Sequence, residues 1–198
     1  MNQFSGIALS CLSLALLTGC AVFGASAEPD PDNPPPAVGE SAPDFELESL
    51  RGGNIKLSDL TADGPVVLLV LRGYPTYQCP ICTRQMGDFI SKHEQFAELG
   101  TRVVLVYPGP SEDLKEKAEE FVGDGVLPEN FDVLLDPSYT FTNAYNLRWD
   151  APRETAYPST FVIAQGEERT VGYAHISHTH GDRTKADDVI KEVEKVVE

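Results

Sequence analysis

Basic side chains are scarce in this 198-residue chain: 15 Lys and Arg stand against 31 Asp and Glu, a formal net charge of −16. So acidic a body excludes nucleic acid as a partner, because phosphate binding needs clustered Lys and Arg. Cysteine is scarcer still, at four, and two of these, Cys11 and Cys20, fall in a leader with no charged side chain before Glu28. The body keeps Cys79 and Cys82 alone, too few for a disulfide framework. A disulfide closing so small a loop would also constrain the unfolded chain little. One C-x-x-C is half of a structural zinc site, and no second such pair follows. The apolar stretch Ile7 to Leu17 has signal-peptide length and is too short to span a bilayer. No internal repeat is present.

What the leader does contain is informative. Leu17-Thr18-Gly19-Cys20 resembles the lipobox of bacterial lipoproteins, where cleavage before the cysteine leaves a new N-terminus lipidated on its sulfur. A second cleavage signal, Ala25-Ser26-Ala27, fits the small-x-small rule of ordinary secretion. Either way the body is expected to be exported to the cell envelope, and the lipobox adds a membrane as partner through Cys20. Residues 28–37 (EPDPDNPPPA) cannot bury a core and read as an extended tether. The expected organisation is a signal peptide over 1–20, a tether over 21–37 and one domain over 38–198.

Within that domain, Phe45 and Leu47, then Ile55 and Leu57, alternate with polar neighbours around the turn Arg51-Gly52-Gly53-Asn54, which predicts an N-terminal hairpin. Val66 to Leu71 is a continuous apolar strand of the kind buried on both faces. Met86, Phe89, Ile90, Phe96 and Ala97 recur at helical spacing over Thr83 to Leu99, up to Gly100. Arg102 to Tyr107 predicts a strand, and Ser111 an N-cap for a helix through Leu114, Ala118, Phe121 and Val122. Phe131 to Leu135 predicts a strand, Thr140 to Tyr145 a helical turn, and Thr160 to Ile163 with Thr170 to Ala174 two linked strands. Ala186, Val189, Ile190, Val193 and Val197 mark a last helix. Strands separated by helices require crossovers. The chain is therefore α/β, with a mainly parallel central sheet flanked by helices and antiparallel strands at its end.

The chemistry concentrates where the first apolar strand meets the first long helix. Cys79 and Cys82 stand at C-x-x-C spacing as the helical pattern begins. A thiol on a helix's first turn meets the positive end of the backbone dipole and unpaired N–H groups, which favour thiolate. Residues three apart are neighbours on a helix, so the second thiol can reach the first and close a disulfide. Such a pair is a two-electron switch, and with this βα layout it predicts a thioredoxin-like fold.

From Val38 to Val197 the chain resembles the peroxiredoxin group, in its alkyl hydroperoxide reductase/thiol-specific antioxidant branch. The residues that carry the likeness are Gly39-Glu40-Ser41-Ala42-Pro43-Asp44-Phe45, the strand-loop-cysteine segment, Asp136-Pro137-Ser138 with Tyr145, and Tyr157-Pro158-Ser159-Thr160-Phe161-Val162-Ile163. The resemblance implies that Cys79 attacks a peroxide, that Thr76 bonds its thiolate and holds the peroxide, and that no bound cofactor is needed. Two positions depart from the pattern. The proline expected seven residues before the reactive cysteine is Arg72, and the arginine expected before the Phe-Val-Ile strand is Pro158. Arg72, Arg84, Arg148 and Arg153 are the candidates for the missing guanidinium. Pro158 also resembles the cis-proline that thioredoxins and membrane-tethered thiol-disulfide reductases place against their C-x-x-C pair.

Three functions follow as expectations. The first is an exported thiol peroxidase in which Cys82 resolves the sulfenic acid on Cys79 and an external dithiol protein restores both. The second is a thiol-disulfide oxidoreductase acting on protein disulfides with the same two sulfurs. The third is a copper-binding assembly factor using both thiols and a histidine among His175, His178 and His180. The leader carries its own test. Cys20→Ser should move the protein from the membrane fraction of a bacterial host to the soluble envelope fraction, and equal membrane retention of both forms would overturn lipidation.

Overall fold

The computed structural model describes Met1 and residues 34–110 and 112–198; the leader with Cys20, most of the tether, and Ser111 lie outside the described residues. Glu46–Ser49 (β1) and Asn54–Lys56 (β2) form the expected antiparallel hairpin. There follow Leu57–Asp63 (α1), Val66–Val70 (β3), Pro80–Ile90 (α2), His93–Glu98 (α3), Arg102–Gly109 (β4) and Leu114–Val122 (α4). Phe131–Pro137 (β5), Thr140–Ala144 (α5), Ser159–Ile163 (β6), Val171–Ile176 (β7) and Ala186–Val197 (α6) complete the chain. The strands form one seven-stranded sheet in the order β2-β1-β5-β4-β3-β6-β7. β3, β4 and β5 run parallel, while β1 and β6 join antiparallel. This is the thioredoxin-like mixed sheet flanked by helices.

Alternation along the central strands divides the interior in two. Val67, Leu69, Val103, Leu105 and Val133 face one side, where Met86, Phe89, Phe96, Phe121 and Val193 cover them. Val66, Leu68, Val70, Val104 and Leu134 face the other, against Leu57, Phe141, Tyr145 and Leu147. With both faces covered, β3 needs apolar residues at every position, and all five are buried. Among the described residues no helix is long and apolar enough to cross a membrane.

Three local expectations are corrected. α1 was not expected; its Leu57 and Thr61, four apart, are buried against the sheet. The long helix over 83–99 is two helices. Ser91 donates its hydroxyl to the Asp88 carbonyl at 2.7 Å, competing with the helical ladder, and the chain restarts at His93. The fourth helix opens at Leu114, past Glu112 and Asp113, and Ser111, its expected N-cap, lies outside the described residues. Asp113 precedes it in the left-handed region at φ 59°, which breaks any regular helix on its N-terminal side.

Two of the residues that carry the family likeness outside the cysteine loop, Asp136 and Tyr145, hold the fold together. Asp136 is buried and accepts bonds from the Phe141 and Thr142 backbone N–H groups at 2.8 and 2.9 Å, and from the Thr142 hydroxyl at 2.5 Å, which fixes the start of α5. Burial nonetheless raises its pKa. Tyr145 donates to the Pro43 carbonyl at 2.7 Å, tying the entrance segment to α5.

The end of β3 is drawn tightly to β4. Tyr74 N–H donates to the Pro108 carbonyl at 3.0 Å, and Gly73 between them has φ +64°. A Cβ on Gly73 would lie 1.8 Å from the Pro108 oxygen. Gly73→Ala is therefore expected to cost about 2–4 kcal/mol through a left-handed backbone and a clash with rigid backbone. Urea unfolding checks this; an unchanged midpoint would contradict the close approach.

Candidate active site

The segment from Arg72 to Cys82 is held from both sides before the helix begins. Gln78, immediately ahead of the first cysteine, donates from Nε2 to the Lys117 carbonyl at 2.7 Å and accepts from the Tyr107 hydroxyl at 2.8 Å. That places Cys79 at the N-cap of α2, with φ −82° and ψ 110°. Pro80 follows at the first helical position, where the missing N–H would have had no partner in any case. The cap's usual oxygen is here a sulfur, since Cys82 N–H points at Cys79 Sγ from 3.4 Å.

Both cysteines are free thiols, and both are buried, Cys79 to 4% exposure and Cys82 to 1%. Both belong to the apolar cluster that holds Met86 and Phe89. Their pKa values move in opposite directions. Cys79 is lowered to about 5, first by the hydrogen bond from the Cys82 thiol, against the opposing effect of burial. The backbone N–H groups of Cys82 and Ile81 and the charge of Arg183 add to it. Cys82 is raised well above an ordinary thiol because it is the donor in that bond and is buried, with Arg183 pulling the other way. The pair therefore holds one proton between two sulfurs, on Cys82.

Arg183 was not among the expected guanidiniums. It lies between β7 and α6, with Nη2 3.8 Å from Cys82 Sγ and Nη1 3.3 Å from Gln85 Oε1. The sequence reading brought this loop toward the cysteines, but on account of its histidines. Those turn elsewhere. His178 meets the Tyr157 ring edge-on with centroids 5.2 Å apart, and His180 Nε2 lies 3.0 Å from Glu154 Oε1. Among the described residues no three of His, Cys, Asp and Glu converge as a metal site.

Arg72 is brought beside the pair and then committed to the fold. Its guanidinium is buried, pairs with Glu154, donates to the Tyr77 hydroxyl at 2.8 Å and to the Arg153 carbonyl at 2.5 Å. Burial opposes its charge, and the bonds to Glu154 and Tyr77 outweigh it, so its pKa rises. The Arg72 carbonyl accepts from the Thr155 hydroxyl. Arg72 thus fastens the 148–157 segment to the end of β3, and Arg148 binds the Trp149 carbonyl at 2.8 Å within that segment.

Two further expectations are not met. Thr76 is exposed, lines a cleft with Tyr74, Pro75 and Lys117, and among the described residues makes no hydrogen bond to Cys79. The Cys82 N–H takes that place, because the anchored Gln78 sets the sulfur into the helix start. Pro158 is buried, but among the described residues no peptide bond is cis. In the trans form, the ordinary low-energy state of an X-Pro bond, the Pro158 carbonyl accepts from Ser177 N–H at 2.8 Å and Tyr157 N–H donates to Leu147 at 2.8 Å.

A family model described as the AhpC/TSA family matches residues 38–171. Over 110 residues the chain is 34% identical to peroxiredoxin Bcp of Bacillus subtilis, covering 56% of this chain and 64% of that one. Over 133 residues it is 29% identical to thiol-disulfide oxidoreductase ResA of Geobacillus kaustophilus, covering 67% of this chain and 66% of that one. The chain thus spans slightly under two thirds of the length of these relatives. Among solved structures it is similar to peroxidoxin BcpB of Mycobacterium tuberculosis, with a TM-score of 0.62 and 25% identity over 81% of this chain and 98% of that one. A structure described as a thiol:disulfide interchange protein DsbE from Chlorobium tepidum shares the fold, with a TM-score of 0.60 and 21% identity over 82% of this chain and 99% of that one.

The Arg72–Glu154 pair makes a direct prediction. Glu154→Gln would leave a buried guanidinium without its counter-ion, which is expected to cost about 3–5 kcal/mol. Equilibrium unfolding measures it, and a loss within that of an exposed substitution would contradict the pair's role.

Proposed function

The chain belongs to the AhpC/TSA family, and from that premise we propose that it is an exported, lipid-anchored thiol peroxidase that reduces hydrogen peroxide or small alkyl hydroperoxides. The observation that carries this reading is a sulfur poised as thiolate yet only 4% exposed. A peroxide little larger than two water molecules fits such access as it stands, whereas a protein partner, substrate or reductant alike, reaches the sulfurs only when the helix start opens. The Cys79 thiolate attacks one peroxide oxygen, a sulfur–oxygen bond forms as the O–O bond breaks, and the departing alkoxide or hydroxide takes up a proton. Donors that steady this departing oxygen supply most of the rate. Those nearest the sulfur are the first-turn N–H groups of α2, those of Ile81 and Cys82. Cys82 then attacks the sulfenic acid sulfur, and water leaves as the disulfide closes. An external dithiol protein restores the thiols, and no bound cofactor takes part.

The second reading, a reductase of protein disulfides, draws on two observations. Thr76 is not bonded to Cys79, and two residues separate the cysteines, as in dithiol exchange enzymes. The trans Pro158 weighs against it. The histidines' contacts leave the copper reading without support.

Cys82→Ser, mixed with stoichiometric hydrogen peroxide near neutral pH, separates the two. A single sulfenic acid on Cys79, formed at least about a hundredfold faster than on free cysteine, is the expected result by stopped flow and mass spectrometry. Oxidation at the free-cysteine rate, with rapid reduction of insulin by the unaltered protein, would replace the peroxidase by the reductase.

A further inference from the structure

The second half of either cycle sets a problem that the first does not. Cys82 must lose its proton to become a nucleophile, and it is the more buried sulfur, 1% exposed within an apolar cluster. Burial disfavours a charged thiolate there. The groups that face it are Cys79 Sγ on its own helix, the Arg72 backbone N–H at the end of β3, the Tyr107 hydroxyl on β4, and the Arg183 guanidinium. Of these, Arg183 is the cation. Arg72, a buried arginine nearby, is neutralised by Glu154. Among the described residues no carboxylate pairs with Arg183, so its charge is not spent on another anion.

Its aim is set by the surrounding bonds. Nε donates to the His180 carbonyl at 3.1 Å and Nη1 to Gln85 Oε1 at 3.3 Å, leaving Nη2 directed at Cys82. Gln85 is itself buried and donates to the Thr184 carbonyl and hydroxyl at 3.4 Å. The Thr184 hydroxyl lies 2.7 Å from that of Thr160 on β6, and Ala186 N–H donates to Asp88 at 2.8 Å. The loop is thus stapled to both α2 and the sheet, and the guanidinium is held over one sulfur.

We propose that Arg183 stabilises the Cys82 thiolate in the closing step, so that this residue, from a loop outside the cysteine motif, governs resolution of the oxidised enzyme. The inference rests on the Cys79–Cys82 cycle proposed above, but not on which oxidant starts it. When Cys79 carries a sulfenic acid, the Cys82 thiolate forms the S–S bond, the S–O bond breaks, and the leaving hydroxide combines with the proton Cys82 gave up. When Cys79 carries a mixed disulfide, the same attack breaks the outer S–S bond and releases that partner as thiolate. Either closure consumes one Cys82 anion, and a fixed guanidinium raises its population without adding a proton.

The test compares wild type with Arg183→Ala, Arg183→Gln and Arg183→Lys. Each is pulsed with stoichiometric hydrogen peroxide or with dimethyl disulfide, then acid-quenched and read by mass spectrometry for the Cys79 adduct and the closed disulfide. The Ala and Gln variants are expected to gain the adduct within about threefold of the wild-type rate and to close it about tenfold more slowly, the effect of one pKa unit. Their closure should recover as pH rises, and Lys should restore most of the lost rate. Closure at the wild-type rate and pH dependence in both neutral variants would overturn the proposal, as would equal slowing by Lys and Gln. Wild type that takes the adduct but never closes it would instead refute the dithiol cycle itself.

Discussion

One contact organises this molecule: a sulfur occupying the cap of α2 and accepting from the N–H and thiol of the residue three positions on. An ordinary N-cap oxygen satisfies a backbone donor and does nothing more. A sulfur in that place satisfies the same donor and becomes a thiolate in doing so. The helix start and the nucleophile are therefore the same structural event. Gly73, Gln78 and Pro80 serve it, by turning the chain off β3, pinning the residue before the sulfur, and fixing the first helical φ.

The magnitude of the resulting pKa shift decides what it is for. A free cysteine is only a few per cent thiolate at neutral pH, so full ionisation gains about 30-fold. Intrinsic nucleophilicity falls with pKa at a Brønsted slope of about 0.4–0.5, and a drop from about 8.5 to about 5 gives back a similar factor. Acidity alone leaves attack by Cys79 little faster than that of free cysteine. The gain lies in departure, since a sulfur of low pKa leaves quickly when it is displaced in turn. The acidic first sulfur and the reluctant, enclosed second one form a division of labour. Any acceleration of peroxide cleavage must come from the donors around the reacting atoms.

Much of the fold could be read because its signals are local. β3 shows as an apolar run because both faces are covered, and the hairpin shows as alternation about two glycines. α1 escaped because two buried positions in seven residues make too short a pattern. The break at Ser91 escaped because one hydroxyl-to-carbonyl bond decided it. At the site, the two cysteines were legible since spacing within one helical turn dictates their contact. Arg183 was not, because its closeness to Cys82 depends on a sheet edge, a loop and Gln85, separated by 98 residues along the chain. Arg72 was noticed for standing at the end of an apolar strand. Its partner Glu154, 82 residues on, could only be found in three dimensions. At Thr76 the family motif predicts a bond to the thiolate, and among the described residues it is the Cys82 N–H that lies there.

The most direct test of the shared-proton cap is site-resolved alkylation of the reduced protein with iodoacetamide from pH 4 to pH 9. The account predicts a single modification, on Cys79, whose rate rises through about pH 5 and is level by neutral pH, with Cys82 untouched across that interval. Comparable modification of both residues, or a Cys79 rate that climbs only above pH 8 as for a free thiol, would contradict it.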